Sequence, residues 1–120
     1  MAYRGIGKER NMSNLLYELE KARQDLNTSM QMLRKHGEEL AQAESEYQVI
    51  KAQTVLMMKQ DGCSITEIGL SIKGQPEVAK AMLKRDISKT MYEANQEHIN
   101  VKKLDIRVIE NQIAREWNNV

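Results

Sequence analysis

Histidine and cysteine are the residue types in this sequence with the widest chemical range, and both are rare. His36 and His98 could bind a metal ion with the help of an acidic neighbour such as Glu39 or Asp105. Zinc sites draw their ligands from residues at short, regular spacing, and no other Cys or His stands at such a spacing here. Buried polar residues also set the register of coiled coils. We therefore predict that both histidines are structural and that the chain has neither a metal site nor a cofactor.

The one thiol, Cys63, follows Asp61-Gly62 and precedes a predicted helix. A thiol becomes a nucleophile when a neighbouring base or a helix N-terminus stabilises its thiolate. No histidine with an acidic partner surrounds Cys63 in the sequence, so we expect a small residue packed in a turn. The chain also has no P-loop, glycine-rich dinucleotide turn or nucleophile elbow. These absences predict that the protein is not an enzyme.

A basic cluster could contact the phosphates of nucleic acid. It consists of Lys73, Lys80, Lys84, Arg85 and Lys89. A short predicted helix and a glycine turn precede most of it, in the order of a helix-turn-helix with residues 76–89 as the recognition helix. Gln75 is the only amide there before Asn95, so few side chains could read bases. The net charge is only +1. A DNA-binding regulator that uses residues 64–89 is therefore the alternative function.

The elements that position these residues follow from a heptad repeat in the first half of the chain. One set of positions contains Leu19, Leu26, Leu33, Leu40 and Tyr47. The complementary set contains Leu15, Ala22, Ser29, His36, Ala43, Ile50 and Met57. This pattern predicts a long coiled-coil helix over residues 12–60. Gly37 lies inside it at a cost of about 1 kcal/mol relative to alanine, and we expect the helix to tolerate it because the heptad register continues on both sides.

Turn and capping residues follow this helix. Gly62 should end it, because glycine accepts the left-handed conformation found at helix C-termini. Ser64 and Glu67 have the spacing of a capping box and predict a short helix over 65–72. Pro76 suits the first turn of another helix.

The predicted fold is all-α: a long antiparallel helical hairpin, or coiled coil, with a short helix at its tip. The helices cover residues 12–60 and 76–117, and residues 61–75 form the tip. Residues 1–11 are predicted to be a flexible basic arm.

The last helix carries two apolar rows at sevenfold spacing. One contains Ile87, Ala94, Val101 and Val108, and the other contains Tyr92, Ile99, Ile106 and Ile113. A single hairpin partner covers only one such row. We predict that the second row, Tyr92 to Ile113, is the interface of a homodimer or higher oligomer.

Composition predicts a reducing, cytoplasmic setting for the protein. The longest apolar run, Val55 to Met58, is too short to span a membrane, and the first ten residues lack the apolar region of a secretory signal. With a single cysteine, no internal disulfide can form, which fits a reducing compartment. Phe is absent and 29% of residues are charged, as expected for solvated helices.

The predicted partner-binding surface is the tip, where the backbone is irregular and side chains are free. Its residues are Lys73, Lys80, Lys84, Arg85, Met58 and Met82. The arm, with Arg4, Lys8 and Arg10, is the second choice. Met57 and Met91 are instead expected in the core.

Two stretches of the C-terminal half carry a resemblance. KGQPEVAKAMLKRDI (73–87) and LDIRVIENQIAREW (104–117) resemble small uncharacterised helical proteins from phages and prophages of Gram-positive bacteria. A weaker likeness extends back to Tyr47. The resemblance implies an accessory protein of the early phage region, encoded near replication and recombination genes, and it implies no active site. We therefore predict a non-enzymatic accessory or inhibitory protein that binds another protein, in the replication machinery or in a host defence system.

Overall fold

The computed structural model describes residues 12–119, and this part of the chain is helical with no β-strand. Helix α1 spans Met12–Gln60, α2 spans Ile65–Ser71, a 3-10 turn spans Ile72–Gly74, and α3 spans Pro76–Asn118. The predicted fold class, an all-α helical hairpin with a short helix between the long ones, is confirmed. The predicted arm at residues 1–11, with Arg4, Lys8 and Arg10, lies outside the described residues.

The chain divides into two compact units. The tip unit is the continuous stretch 33–94, and the terminal unit combines 12–32 with 95–119. In both units α1 packs against α3, and the tip unit also contains α2.

A glycine turn ends α1 in the tip unit. Gly62 has a φ of 89°, the only positive φ among the described residues. The N–H of Cys63 donates to the carbonyl of Met58 at 3.0 Å, and the N–H of Gly62 donates to that of Lys59 at 3.1 Å. These two bonds define a Schellman motif, which satisfies carbonyls that the end of the helix leaves without partners.

Side-chain and proline caps start the next two helices. The hydroxyl of Ser64 accepts a hydrogen bond from the N–H of Glu67 at 3.1 Å, as the capping spacing predicts. Pro76 is the first residue of α3, where a missing N–H costs nothing. The 3-10 turn ends α2 at Ser71, slightly earlier than the sequence suggests.

All three helices contribute to the core of the tip unit. The buried residues are Tyr47 of α1, Ile68 of α2, Ile72 of the 3-10 turn, and Val78 and Ala81 of α3. Cys63 packs against this cluster. The short connection is therefore held by a hydrophobic core, and the thiol packs there as expected.

Farther from α2, the tip unit is an antiparallel helix pair. Glu46 of α1 pairs with Lys84 of α3, and Gly37 faces Tyr92. A Cβ atom at position 37 would lie 3.2 Å from Cε1 of Tyr92. Helix α1 continues through Gly37, which accommodates the tyrosine ring.

The terminal unit is also an antiparallel pair. Leu15, Leu19 and Ala22 of α1 and Ile99 of α3 are buried. The side-chain amide of Asn95 donates to the backbone carbonyl of Ser29 at 2.8 Å. Polar groups thus supplement a narrow apolar seam.

The hydropathy of the helices bears on membrane association. Within residues 12–119, no helix contains a segment both long enough and apolar enough to cross a bilayer.

Gly62→Ala tests the turn. Alanine in the left-handed region costs about 1–2 kcal/mol, so the free energy of unfolding should fall by that amount in urea titrations followed by circular dichroism. Gly69→Ala is the matched control. Position 69 lies inside α2 with open space around its Cα, so alanine there should raise the free energy of unfolding by at most about 1 kcal/mol. Equal stability of Gly62→Ala and the wild type would contradict the left-handed turn.

Candidate protein-binding surfaces

Two of the four basic residues predicted at the tip, Lys84 and Arg85, are paired with carboxylates. The Nζ atom of Lys84 lies 2.9 Å from Oε2 of Glu46. The guanidinium of Arg85 lies 3.6 Å from Glu44 and 3.0 Å from Asp86. This arrangement weakens the positive potential that phosphates would meet.

Arg85 also packs on an aromatic ring. Its guanidinium carbon lies 4.4 Å from the centroid of the buried Tyr47 ring, within cation–π range. Only 25% of its side chain is exposed. The hydrogen bond that it donates to Asp86 raises the pKa of Arg85 above its usual value. The expectation that Arg85 faces solvent as freely as its neighbours is corrected: it is a structural contact between α3 and α1.

Lys73 and Lys80 are the basic tip residues left for a partner. Both are exposed and make no ion pair with any described residue. The amide of Gln75, the one candidate for base reading, donates to the carbonyl of Ser71 at 3.4 Å. The surface predicted for DNA is therefore weakly basic and has little capacity for base recognition.

The burial of four methionines is the reverse of what the sequence predicts. Met58 and Met82, predicted for partner binding, are half-buried against the tip core. Met57 and Met91, expected in the core, are exposed. The physical reason is helix phase: Met58 follows Tyr47 by eleven residues, which is close to three helical turns, so both lie on the α1 face that meets α2 and α3.

The two apolar rows of α3 have the opposite roles to those predicted from the sequence. In the tip unit, the Tyr92 ring packs against Gly37. In the terminal unit, Ile99 is only 6% exposed, and Ile106 and Ile113 are half-buried. The assignment of the row Tyr92, Ile99, Ile106 and Ile113 to an oligomer interface is therefore corrected, since the chain itself uses this row.

The other row is exposed. Ile87 lies on the surface of the tip unit, and Val101 and Val108 lie on the surface of the terminal unit. This row is therefore available for contact with another molecule.

In the tip unit, Ile87 is also part of a stripe of exposed apolar residues along α3. Leu83, Ile87 and Met91 recur every four residues and are 50–61% exposed. Arg85, which packs on α1, stands two residues before Ile87, and two residues turn a helix by roughly 200°. These three residues, the tip stripe, therefore face away from α1. Leu83 was missed in the sequence because it belongs to neither sevenfold row.

The two histidines have different surroundings. His36 is mostly buried, with Nδ1 3.6 Å from Oε2 of Glu39 and without a hydrogen-bond partner. His98 is exposed. Across residues 12–119, no three His, Cys, Asp or Glu side chains approach one another closely enough to hold a metal ion.

Open grooves lie between the helices of the terminal unit, and two of them are lined by described residues. The larger measures about 510 Å³, and its lining includes Ala22, Ile109 and the Lys102–Asp25 ion pair. The smaller, about 370 Å³, is lined mainly by apolar residues, including Leu16 and Trp117.

Comparison with family models, curated proteins and solved structures finds no match to the chain. The resemblance to phage proteins therefore stays a prediction.

Arg85→Glu tests the structural role of the arginine. The new carboxylate would face Glu44 and Asp86 and would lose the attraction of the Tyr47 ring. We expect a clear fall in the urea midpoint of unfolding. Lys80→Glu, at an exposed site on the same helix, should change stability by no more than about 0.5 kcal/mol. Equal midpoints for the two variants would show that the stacking contributes nothing.

Proposed function

We propose that the chain is a non-enzymatic accessory or inhibitory protein of phage type that binds another protein through its tip unit. The observation that supports this most strongly is the tip stripe, with Leu83, Ile87 and Met91 exposed in a row on one helix face. Soluble monomers scatter single apolar residues over their surfaces, whereas contiguous exposed patches mark interaction sites.

The spacing of the tip stripe suggests the geometry of the partner. Residues four apart lie side by side on a helix surface, so the stripe is a narrow ridge of three side chains. Such a ridge fits into the groove of a helical or cleft-bearing protein. Fully burying a large aliphatic side chain contributes about 1.5–3 kcal/mol. Three half-exposed side chains could therefore contribute about 3 kcal/mol before the costs of association.

Electrostatics favours a protein partner over DNA. The ion pairs of Lys84 with Glu46 and of Arg85 with Glu44 remove two of the cations that a helix-turn-helix would direct at phosphates. The resemblance to early-region phage proteins supports a partner in the replication machinery or in a host defence system.

A quantitative pull-down from bacterial lysate tests the proposal. Replacing Leu83 and Ile87 with serine should remove the retained partner, because it deletes two of the three ridge residues. The control replaces Lys89 and Glu93, exposed polar residues on the same helix, and should retain the partner. Circular dichroism must show equal helicity for both variants. Equal retention by both would move the binding surface away from the tip stripe.

DNA binding is the competing outcome. If the protein made six or more phosphate contacts, its affinity for DNA would fall by about 10³-fold or more when the salt concentration rises from roughly 50 to 200 mM. Anisotropy titrations with duplex DNA should show weak binding, and replacing Lys73 and Lys80 with Glu should change it little. A steep salt dependence that flattens in this variant would favour the DNA-binding regulator over the protein-binding function.

A further inference from the structure

The methionines of the tip unit differ in their access to solvent. Met57 and Met91 are 61% and 50% exposed, whereas Met58 and Met82 are half-buried against the tip core. An oxidant dissolved in water therefore reaches the first pair more readily than the second. A thioether can be oxidised to a sulfoxide, a reaction that the aliphatic side chains on the same surface do not undergo.

Met91 is the member of the tip stripe that peroxide can modify. Leu83 and Ile87, the other two members, are hydrocarbon side chains that peroxide leaves intact. Met57 is equally open to solvent but belongs to α1, whereas the stripe lies on the face of α3 that is turned away from α1. Oxidation of Met91 therefore changes the stripe itself, and oxidation of Met57 does not.

We propose that Met91 is an oxidation site that switches off binding at the tip stripe. The thioether sulfur attacks one oxygen of hydrogen peroxide, so that an S–O bond forms and the O–O bond breaks. Sulfur is oxidised by two electrons, and the departing hydroxide takes the proton of the attacked oxygen and leaves as water. This inference rests on the proposed function, because it assigns a regulatory chemistry to the same surface.

Oxidation makes one end of the stripe polar. The thioether packs as an apolar, adaptable side chain, whereas the sulfoxide carries a polar oxygen. When the stripe enters an apolar groove of the partner, this oxygen loses its water without gaining a hydrogen bond, which is unfavourable. The oxidised chain should therefore bind its partner at least about fivefold more weakly. Methionine sulfoxide reductases restore the thioether, so the switch is reversible.

Peptide mapping of the full chain by mass spectrometry tests the reactivity. During timed exposure to hydrogen peroxide, Met91 should gain one oxygen faster than Met58 and Met82, because its side chain is more exposed. Met57 should react about as fast as Met91, and fragment spectra distinguish it from the adjacent Met58. Oxidation of Met91 no faster than that of Met82 would overturn the proposal.

The pull-down from bacterial lysate tests the effect on binding. The probe is the set of proteins that wild type retains and that the variant with serine at positions 83 and 87 loses. Peroxide is removed before the lysate is added, so only this chain is oxidised. Oxidised wild type should retain several-fold less of these proteins. Met91→Leu stays apolar and cannot form a sulfoxide, so it should retain them after the same treatment.

Met57→Leu is the matched control, because it removes an exposed methionine outside the stripe. It should become as sensitive to peroxide as wild type. Cys63 remains in both leucine variants, so oxidation of the thiol cannot account for a difference between them. Equal peroxide sensitivity of Met91→Leu and Met57→Leu would overturn the proposal.

Met91→Gln tests the same effect without an oxidant. It places a polar amide at the end of the stripe and should retain several-fold less of the probe proteins, with helicity unchanged in circular dichroism. Full retention by wild type whose Met91 is completely oxidised would overturn the switch and leave the tip stripe as the binding surface. Full retention by the variant with serine at positions 83 and 87 would instead overturn the proposed function, and this inference with it.

Discussion

A helix that packs against a single neighbour can bury only a stripe of its surface, and this constraint governs the molecule. Most of the α1 and α3 surface must remain in water, which accounts for the high charge content and the absence of Phe. Apolar residues beyond the buried stripe are then conspicuous, because the pairing within the chain does not require them. In the tip unit α2 adds a third helix, and Ile68 of α2 joins Val78 and Tyr47 in one buried cluster.

Polar contacts decide how the two helices are aligned. An apolar stripe alone tolerates sliding, since one aliphatic layer resembles the next. Asn95 pairs with a backbone carbonyl at Ser29, and a shifted register would leave the amide without that partner. An unpaired buried amide is costly. Arg85, held between Tyr47 and two carboxylates, adds a second specific contact in the tip unit.

Local signals made much of the fold predictable. Gly62, Ser64 and Pro76 act on their own backbone neighbourhood, so their roles follow from residue type and spacing. The choice between the two rows of α3 could not be made in the same way, because both rows are apolar and both recur every seven residues. What distinguishes the buried side is the polar pair Asn95 and Lys102, and its meaning depends on Ser29 and Asp25 far away in sequence. The candidate site was less predictable for the same reason: Lys84 and Arg85 look like free cations until α1 places Glu46 and Glu44 beside them.

The division of the chain has a consequence for how it folds. The tip unit is one continuous stretch, whereas the terminal unit joins two segments distant in sequence. Glu46 and Lys84 are 38 residues apart, but Ser29 and Asn95 are 66 apart. Loop-closure entropy rises slowly with the length of chain enclosed, so we expect pairing near the tip, which closes the shorter loop, to precede pairing of the terminal segments. We expect helix pairing to continue from there into the terminal segments.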